Sequence, residues 1–251
     1  MSHKIRLIAR LDVKGQNLVK GIQYEGLRKL GDPHDFAKRY YEQGIDELLY
    51  LDTVASLYGR NNLSDILQKT TQDIFIPITA GGGLRSVEDV GLVLKMGADK
   101  AAVNTAALHR PELISELAKA YGSQCVVLSV QAKRWETGWE AYFDNGRERS
   151  GKDALEWIGQ AERWGAGEIL VTSVDAEGRQ KGMDHELIAA ARQATALPVI
   201  AAGGVSGADD MVQAAKEGAD AVSAASILHY DKTSVPALKQ EILKAGVEVR
   251  A

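Results

Sequence analysis

Two glycine-rich segments, and the polar residues that end apolar runs, are where this chain can do chemistry. Gly81-Gly82-Gly83 closes one apolar run and Ala202-Gly203-Gly204 closes another, each just ahead of a helix-like stretch. Backbone without side chains lets N–H groups approach an anion, and a helix start favours negative charge. Asn104-Thr105-Ala106 and Ala225-Ser226 end two further runs and can donate to phosphate oxygens. Two such sites suit a long ligand with a phosphate at each end. The plainer account is that the glycines only permit tight strand-to-helix turns. Asp12 ends the first run, where a pocketed carboxylate can accept a proton near neutral pH. Its counterpart in the second half of the chain is Gln131, which can orient a ligand but is neither an acid nor a base. Lys20 can reach a phosphate or hold its loop by a charge-assisted bond. Asp52, Thr79, Thr172, Ser173 and Asp175 also fall at run ends.

A second set of charges sits at the other end of the runs. Arg6, Glu47, Lys100 and Glu168 each start one, so two basic and two acidic groups can close a ring of salt bridges. Such a ring is a stabilising plug or a gate to a passage through the core, and composition alone favours the plug. The histidines His3, His34, His109, His185 and His229 lack metal-ligand spacing, so no metal and no cofactor are expected.

The elements that must position these residues alternate in type. Strand-like runs cover Lys4–Leu11, Glu47–Leu51, Ile76–Thr79, Ala101–Val103, Val126–Val130, Ile169–Thr172, Val199–Ala201 and Ala221–Ala224. They are near-continuously apolar, as strands covered on both faces are. Helical stretches fall between them, at Asp35–Gln43, Ser86–Met96, from Pro111 to about Tyr121, Asp153–Trp164 and Ala208–Glu217. Pro77–Gly83 matches Pro198–Gly204, and Gly97-Ala98-Asp99 matches Gly218-Ala219-Asp220, all at an offset of 121 residues. Leu11-Asp12-Val13-Lys14 matches Val130-Gln131-Ala132-Lys133 at a nearby offset. Each half holds four βα units. The fold expected is one (β/α)8 TIM barrel, with half-barrels of about residues 1–122 and 123–251. An open doubly wound sheet is the fallback. Trp135–Arg149 breaks the rhythm, and its Asp144-Asn145-Gly146 predicts a hairpin after strand five, as a wall of the ligand site or a lid on the rim.

Composition narrows the class. With 251 residues, 45% hydrophobic and 25% charged, the chain fits a soluble globular domain rather than a disordered one. A net charge of −4 gives no reason to expect nucleic acid. The lone Cys125 reads as an apolar filler in a reducing compartment. No apolar stretch is long enough to span a membrane and the start lacks a signal peptide, so the cytoplasm is expected.

The chain resembles the cyclase subunit of imidazole glycerol phosphate synthase, a barrel of histidine biosynthesis, essentially end to end. The likeness rests on LDVKGQNLVKG at 11–21, GDP at 31–33, GIDELLYLDTVAS at 44–56, TAGGGLRS at 79–86 and GADKAAVNTAA at 97–107. It continues through GSQCVVLSVQAKR at 122–134, GAGEILVTSVDAEG at 165–178 and GADAVSAAS at 218–226. The resemblance implies that ammonia from a glutaminase docked on the N-terminal face of the barrel crosses the core. It then cleaves and cyclises a bis-phosphorylated ribulosyl-formimino aminoimidazole carboxamide ribotide. Asp12 matches a catalytic position, and Arg6, Glu47, Lys100 and Glu168 match an ammonia gate. The phosphate-binding glycines, Asn104, Thr105 and Ser226 look like family positions, and the ligand contacts expected in all are Lys20, Asp52, Gly82, Gly83, Asn104, Thr105, Thr172, Asp175, Glu177, Gly178, Arg179, Gly203, Gly204, Ala225 and Ser226. The departures cluster at the mouth: Gln131 stands for the second catalytic aspartate, Arg10 for a cysteine, Glu177 for an aspartate, Arg179 for a threonine and Ala202 for a serine. The alternative this opens is a catalytically altered paralogue that channels ammonia for acetamidino-sugar biosynthesis.

Overall fold

The structure is a computed structural model that describes residues 4–55 and 63–250. His3 lies outside them. The strands are β1 (Arg6–Lys14), β2 (Asn17–Ile22), β3 (Glu25–Gly31), β4 (Glu47–Asp52), β5 (Ile78–Gly81), β6 (Lys100–Val103), β7 (Val126–Trp135), β8 (Gly138–Phe143), β9 (Glu148–Asp153), β10 (Glu168–Ser173), β11 (Val199–Ala202) and β12 (Ala221–Ala224). The helices are α1 (Pro33–Glu42), α2 (Leu63–Thr70), α3 (Val87–Lys95), α4 (Thr105–His109), α5 (Glu112–Tyr121), α6 (Ala154–Trp164), α7 (His185–Ala194), α8 (Ala208–Lys216), α9 (Ser226–His229) and α10 (Val235–Lys244).

Eight strands close into a parallel barrel. The order runs β1-β4-β5-β6-β7, then β10 beside β7, then β11 and β12, and β12 returns to β1. The sequence expectation of a (β/α)8 barrel therefore holds, and the open sheet is ruled out. Strand period two sorts the side chains. Leu7, Ala9, Leu11 and Val13 of β1 join the shell between strands and helices. Ile8 joins Leu49, Val127, Leu170 and Ile200 in a separate cluster inside the ring. That inner layer divides two polar ends. Arg6, Glu47, Lys100 and Glu168 are the first residues of their strands and lie below it. Arg10, Asp12 and Gln131 lie above it, at the strand C-termini where such barrels do chemistry. Thr79 is the second residue of β5 rather than its end, beside Lys100 in register, so it belongs to the lower half.

The sequence repeat is visible in the backbone. Gly82 and Gly203 have φ of 96° and 97°, and both adjacent glycines are also left-handed. Asp99 and Asp220 each accept from a strand-opening N–H, Ile78 and Val199, at 2.8 Å. Asp89 and Asp210 accept from the N–H of Arg85 and Ser206, fixing the turn before α3 and α8.

Two departures from expectation bear on the site. The run after β1 forms a hairpin, β2–β3, that bends back over the mouth. Its residues alternate poorly, so periodicity did not mark it. Cys125 is half-buried in a single turn of 3-10 helix rather than in the core, because β7 begins one residue later. The hairpin expected at Trp135–Arg149 forms from the end of β7 with β8 and β9. Asp144, Asn145 and Gly146 all take positive φ at its turn. Among the described residues no helix is long and apolar enough to cross a membrane.

Candidate functional site

Four buried charges occupy the middle of the upper mouth. Arg10 points inward from β1, between the inner layer and Asp12. Its Nε donates to Asp12 Oδ1 at 2.7 Å and its Nη1 to Glu177 Oε2 at 3.3 Å. Lys20 reaches in from β2, donating to Asp12 Oδ2 at 2.8 Å and to Glu177 Oε1. Glu177 arrives on the loop after β10, which the hairpin holds through Gln23 N–H to Glu177 O at 2.9 Å. Arg10 also lies over the Tyr24 ring, 5.2 Å from its centroid. All four side chains are buried. Burial pushes the Asp12 carboxyl up, but Arg10 and then Lys20 outweigh it and hold the group down at about 2. Burial works against the charge on Lys20, yet Asp12 and Glu177 keep the ammonium above its ordinary range. The cluster is thus two cations and two anions, internally matched.

That arrangement bears on two expectations. Asp12 does not take up a proton near neutral pH here, because both of its oxygens are held by cations. Of the two roles expected of Lys20, the structure shows the charge-assisted bond: its ammonium lies within the cluster, holding β2 against β1.

Beside the cluster lies a cavity of about 420 Å³. Its floor is Leu51, Ala102 and Ser129, its walls Arg10, Asp52 and Gln131, and its rim Gly82, Gly83, Asn104 and Thr105. Gly82 cannot carry a side chain: a Cβ would sit 2.2 Å from Asp52 O. Asp52 Oδ1 accepts from the N–H of Val54 and Ala55, each at 3.0 Å, and so shapes its own loop. The hairpin turn is a wall of this cavity, through Asp144 and Asn145. It is latched by Gln131, whose Oε1 accepts from Gly146 N–H at 2.8 Å. Asn104 Nδ2 donates to Tyr142 O at 3.1 Å, and the Thr105 hydroxyl meets Asp144 at 3.3–3.5 Å.

The matching place in the other half is narrower. Gly203, Gly204, Gly178, Ala225 and Ser226 surround about 20 Å³ with Arg10 and Glu177. Gly182 N–H bonds Gly204 O at 3.1 Å, so the loop after β10 packs down on the glycine turn. A Cβ on Gly204 would lie 2.1 Å from Gly182 O.

At the lower end the four strand-opening charges meet. Arg6 donates to Glu47 at 2.8 Å and to Glu168 at 2.5 Å. Lys100 donates to Glu168 at 2.7 Å and to Glu47 at 3.5 Å. The ring is closed, and Lys100–Glu47 is its loosest joint.

The family model for the histidine biosynthesis protein matches residues 6–234. The protein named imidazole glycerol phosphate synthase subunit HisF of Legionella pneumophila is 57% identical over 202 residues, covering 80% of this chain and 95% of its own. Those so named from Mycobacteroides abscessus and Corynebacterium diphtheriae are 46% and 45% identical, over 100% and 98% of both chains. The chain belongs to the HisF family.

Within that family frame the expected site residues divide into three groups. Asp52, Gly82, Gly83, Asn104, Thr105 and Gln131 come together on the open cavity. Glu177, Gly178, Gly203, Gly204, Ala225 and Ser226 come together around the narrower one. Thr172, Asp175 and Arg179 join neither. Thr172 is buried in β10. Asp175 caps the β7 backbone, accepting from Arg134 N–H at 2.8 Å. Arg179 folds back on Asp175 O at 3.4 Å, in an open groove outside the mouth. Sequence reasoning noted Arg10 only as a departure and missed Ser129 in the cavity floor, while the hairpin turn at Asp144 and Asn145 is the wall that one of its two readings expected. A charge inside the apolar run RLIARLDV, in phase with Ile8 and Asp12, is the signal that marks Arg10 as inward-facing. His229 is a packed histidine: Tyr40 bonds its Nδ1 at 2.7 Å, and burial, then Lys20, hold it down at about 3. Among the described residues no cluster of His, Cys, Asp and Glu could hold a metal ion.

Proposed function

We propose that this chain is the cyclase subunit of an imidazole glycerol phosphate synthase in cytoplasmic histidine biosynthesis. Ammonia made by a glutaminase subunit at the N-terminal face enters through the ring of Arg6, Glu47, Lys100 and Glu168. It meets a phosphorylated ligand in the upper cavity, a bis-phosphorylated ribulosyl-formimino aminoimidazole carboxamide ribotide, which is cleaved and cyclised. Asp12 and Gln131 are the groups nearest the reacting centre. The observation that carries this reading is the pairing, on one barrel axis, of a closed four-charge ring with a glycine-rimmed cavity above it. A ring of matched charges admits a small neutral molecule once a single pair parts, and the joint between Lys100 and Glu47, at 3.5 Å, gives first.

One observation favours a second reading. Asp12 is bonded by Arg10 and Lys20, and its counterpart in the repeat is Gln131 rather than a second carboxylate, which leaves no free pair of carboxylates for acid–base work. The same ammonia passage would then serve another acceptor, as in a paralogue supplying ammonia for acetamidino sugars. Turnover of the bis-phosphate ligand with ammonium chloride, without a glutaminase, separates the two. Consumption of the ligand supports the cyclase. Stimulation of a glutaminase with the ligand left intact supports ammonia delivery, and failure of both removes the two readings together.

A further inference from the structure

We propose that Arg10 and Ser223 are specificity-determining contacts of this chain: a guanidinium N–H and a hydroxyl that donate to the ligand phosphate at the glycine turn after β11. This deepens the cyclase reading above and rests on it, since that reading brings a second phosphate to Gly203 and Gly204. Arg10 uses two of its three nitrogens inside the buried cluster, Nε on Asp12 at 2.7 Å and Nη1 on Glu177 at 3.3 Å. The third, Nη2, is buried and has no hydrogen-bond partner among the described residues. Ser223 Oγ and Gln180 Oε1 are buried without a partner as well. All three residues line the narrower pocket, together with Gly203, Gly204 and Ser226. A buried donor left unpaired is costly, and more so on a cation. Three such atoms around one pocket mark a place that a ligand completes.

Packing asks for neither donor. Ser223 stands on β12 in register with Ile8 of β1 and Ala202 of β11, and the repeat puts Ala102 at its counterpart. Arg10 has Ser129 as its counterpart on β7, and it stands where the family resemblance expects a cysteine. An alanine therefore suits the one position and a small residue the other. Charge favours an anion at the pocket. Glu177 is the carboxylate that lines it, and both of its oxygens are taken, by Lys20 and by Arg10 Nη1. Nη2 belongs to a group that stays charged, and a charge-assisted bond is roughly twice as strong as a neutral one. The guanidinium is already fixed by its two carboxylates, so little freedom is lost when it meets a ligand. Gln180, on the loop after β10, covers a further side, and a half-turn of its amide presents Nε2 in place of Oε1. The pocket opens to solvent, and the phosphate enters by that opening.

Calorimetry tests this with three probes: the bis-phosphate and its two one-phosphate products, imidazole glycerol phosphate and aminoimidazole carboxamide ribotide. Ser223→Ala removes a hydroxyl that has no protein partner, so thermal unfolding is expected to move little while the bis-phosphate binds about fivefold more weakly. Arg10→Lys keeps the positive charge, loses the second N–H arm and is expected to cost at least about tenfold. Ser223→Ala carries the test alone if Arg10→Lys does not fold. In each variant the loss falls on one product, the one whose phosphate occupies the glycine turn, and the other stays within about twofold. The Tyr24 hydroxyl, also buried without a partner, is the internal group that competes for Nη2. Tyr24→Phe is expected to leave all three affinities within about twofold, and a loss there equal to that of Arg10→Lys overturns the assignment. Because Arg10 is a ligand contact, turnover of any Arg10→Cys variant is compared at saturating ligand. Native-like binding by either variant, or equal loss of both products, overturns the assignment and leaves the cyclase reading standing. If no probe binds the native protein, the cyclase reading fails and the assignment falls with it.

Discussion

Giving the mouth two free carboxylates takes two substitutions acting together, Arg10→Cys and Gln131→Asp. Asp12 is held at about 2, against 3.8 for a free carboxyl. That difference of nearly two pH units makes the protonated form at neutral pH rarer by a factor approaching ~10² and the carboxylate a correspondingly poorer base. Each positioned acid or base contributes roughly 10²–10⁴-fold, and here the one carboxylate is pinned while its counterpart is an amide. Gln131→Asp alone supplies a carboxylate across the cavity but leaves Asp12 pinned by Arg10 and Lys20. Arg10→Cys alone loosens Asp12 but leaves an amide opposite it. Each single change is expected to raise ammonia-dependent turnover of the bis-phosphate by less than about tenfold, and the pair by at least about 10²-fold, more than the product of the two. The assay is steady-state consumption of the ligand in ammonium chloride, with binding measured by calorimetry. The reasoning fails if Gln131→Asp alone matches the pair, or if the pair binds ligand tightly and turns over no faster than the native chain. A native rate equal to that of ordinary HisF relatives would also refute it.

Acid should weaken the fold through the same cluster. Asp12 is depressed below 3.8, so its contribution is complete well above that value and is lost as pH falls toward about 2. Asp12→Asn removes that pH-dependent part, which urea unfolding from neutral pH downward would read as a narrowing gap from the native chain. Glu168→Gln leaves Arg6 and Lys100 short of a buried counter-charge and is expected to cost about 3–5 kcal/mol in the same assay, while letting ammonia and water leak at the lower ring. Gly204→Ala, at φ 88° with backbone 2.1 Å from the new Cβ, should cost about 1–3 kcal/mol. Gly207→Ala, in extended backbone with open space around it, should change thermal unfolding little.

The barrel was legible in the sequence because its signal is redundant. Eight apolar runs, a repeat at 121 residues and Gly-Ala-Asp turns all point one way, and the charged first residues of β1, β4, β6 and β10 fell where the runs put them. The mouth was less legible for a physical reason: side chains there are placed by loops that carry no period. Lys20 could not be assigned from sequence because its role depends on the β2–β3 hairpin, whose polar, irregular strands look like a loop. Asp175 and Arg179 were expected as ligand contacts by order along the chain; the cap on Arg134 N–H and the return of Arg179 to Asp175 O, which put them on a separate groove, needed the loop geometry. Gln131 was read as a lost acid; that it latches the hairpin through Gly146 needed the turn geometry.

The two ends of the axis carry the same chemical inventory, two cations and two anions each, but in different settings. At the lower ring the charges sit where the barrel opens to solvent, Lys100 half-buried and its contact with Glu47 at 3.5 Å, so a pair can part at modest cost. At the mouth the quartet is sealed, with Arg10 and Asp12 almost wholly buried. Burying four charges brings no stability that an apolar quartet of the same volume would not also bring, since desolvation offsets the attraction between them. Stability therefore does not explain Arg10. What Arg10 supplies is a fixed positive charge, held by two carboxylates and lining both pockets at once. The lower ring thus keeps one joint loose enough to part, at 3.5 Å, whereas the upper cluster is locked by short bonds between buried groups.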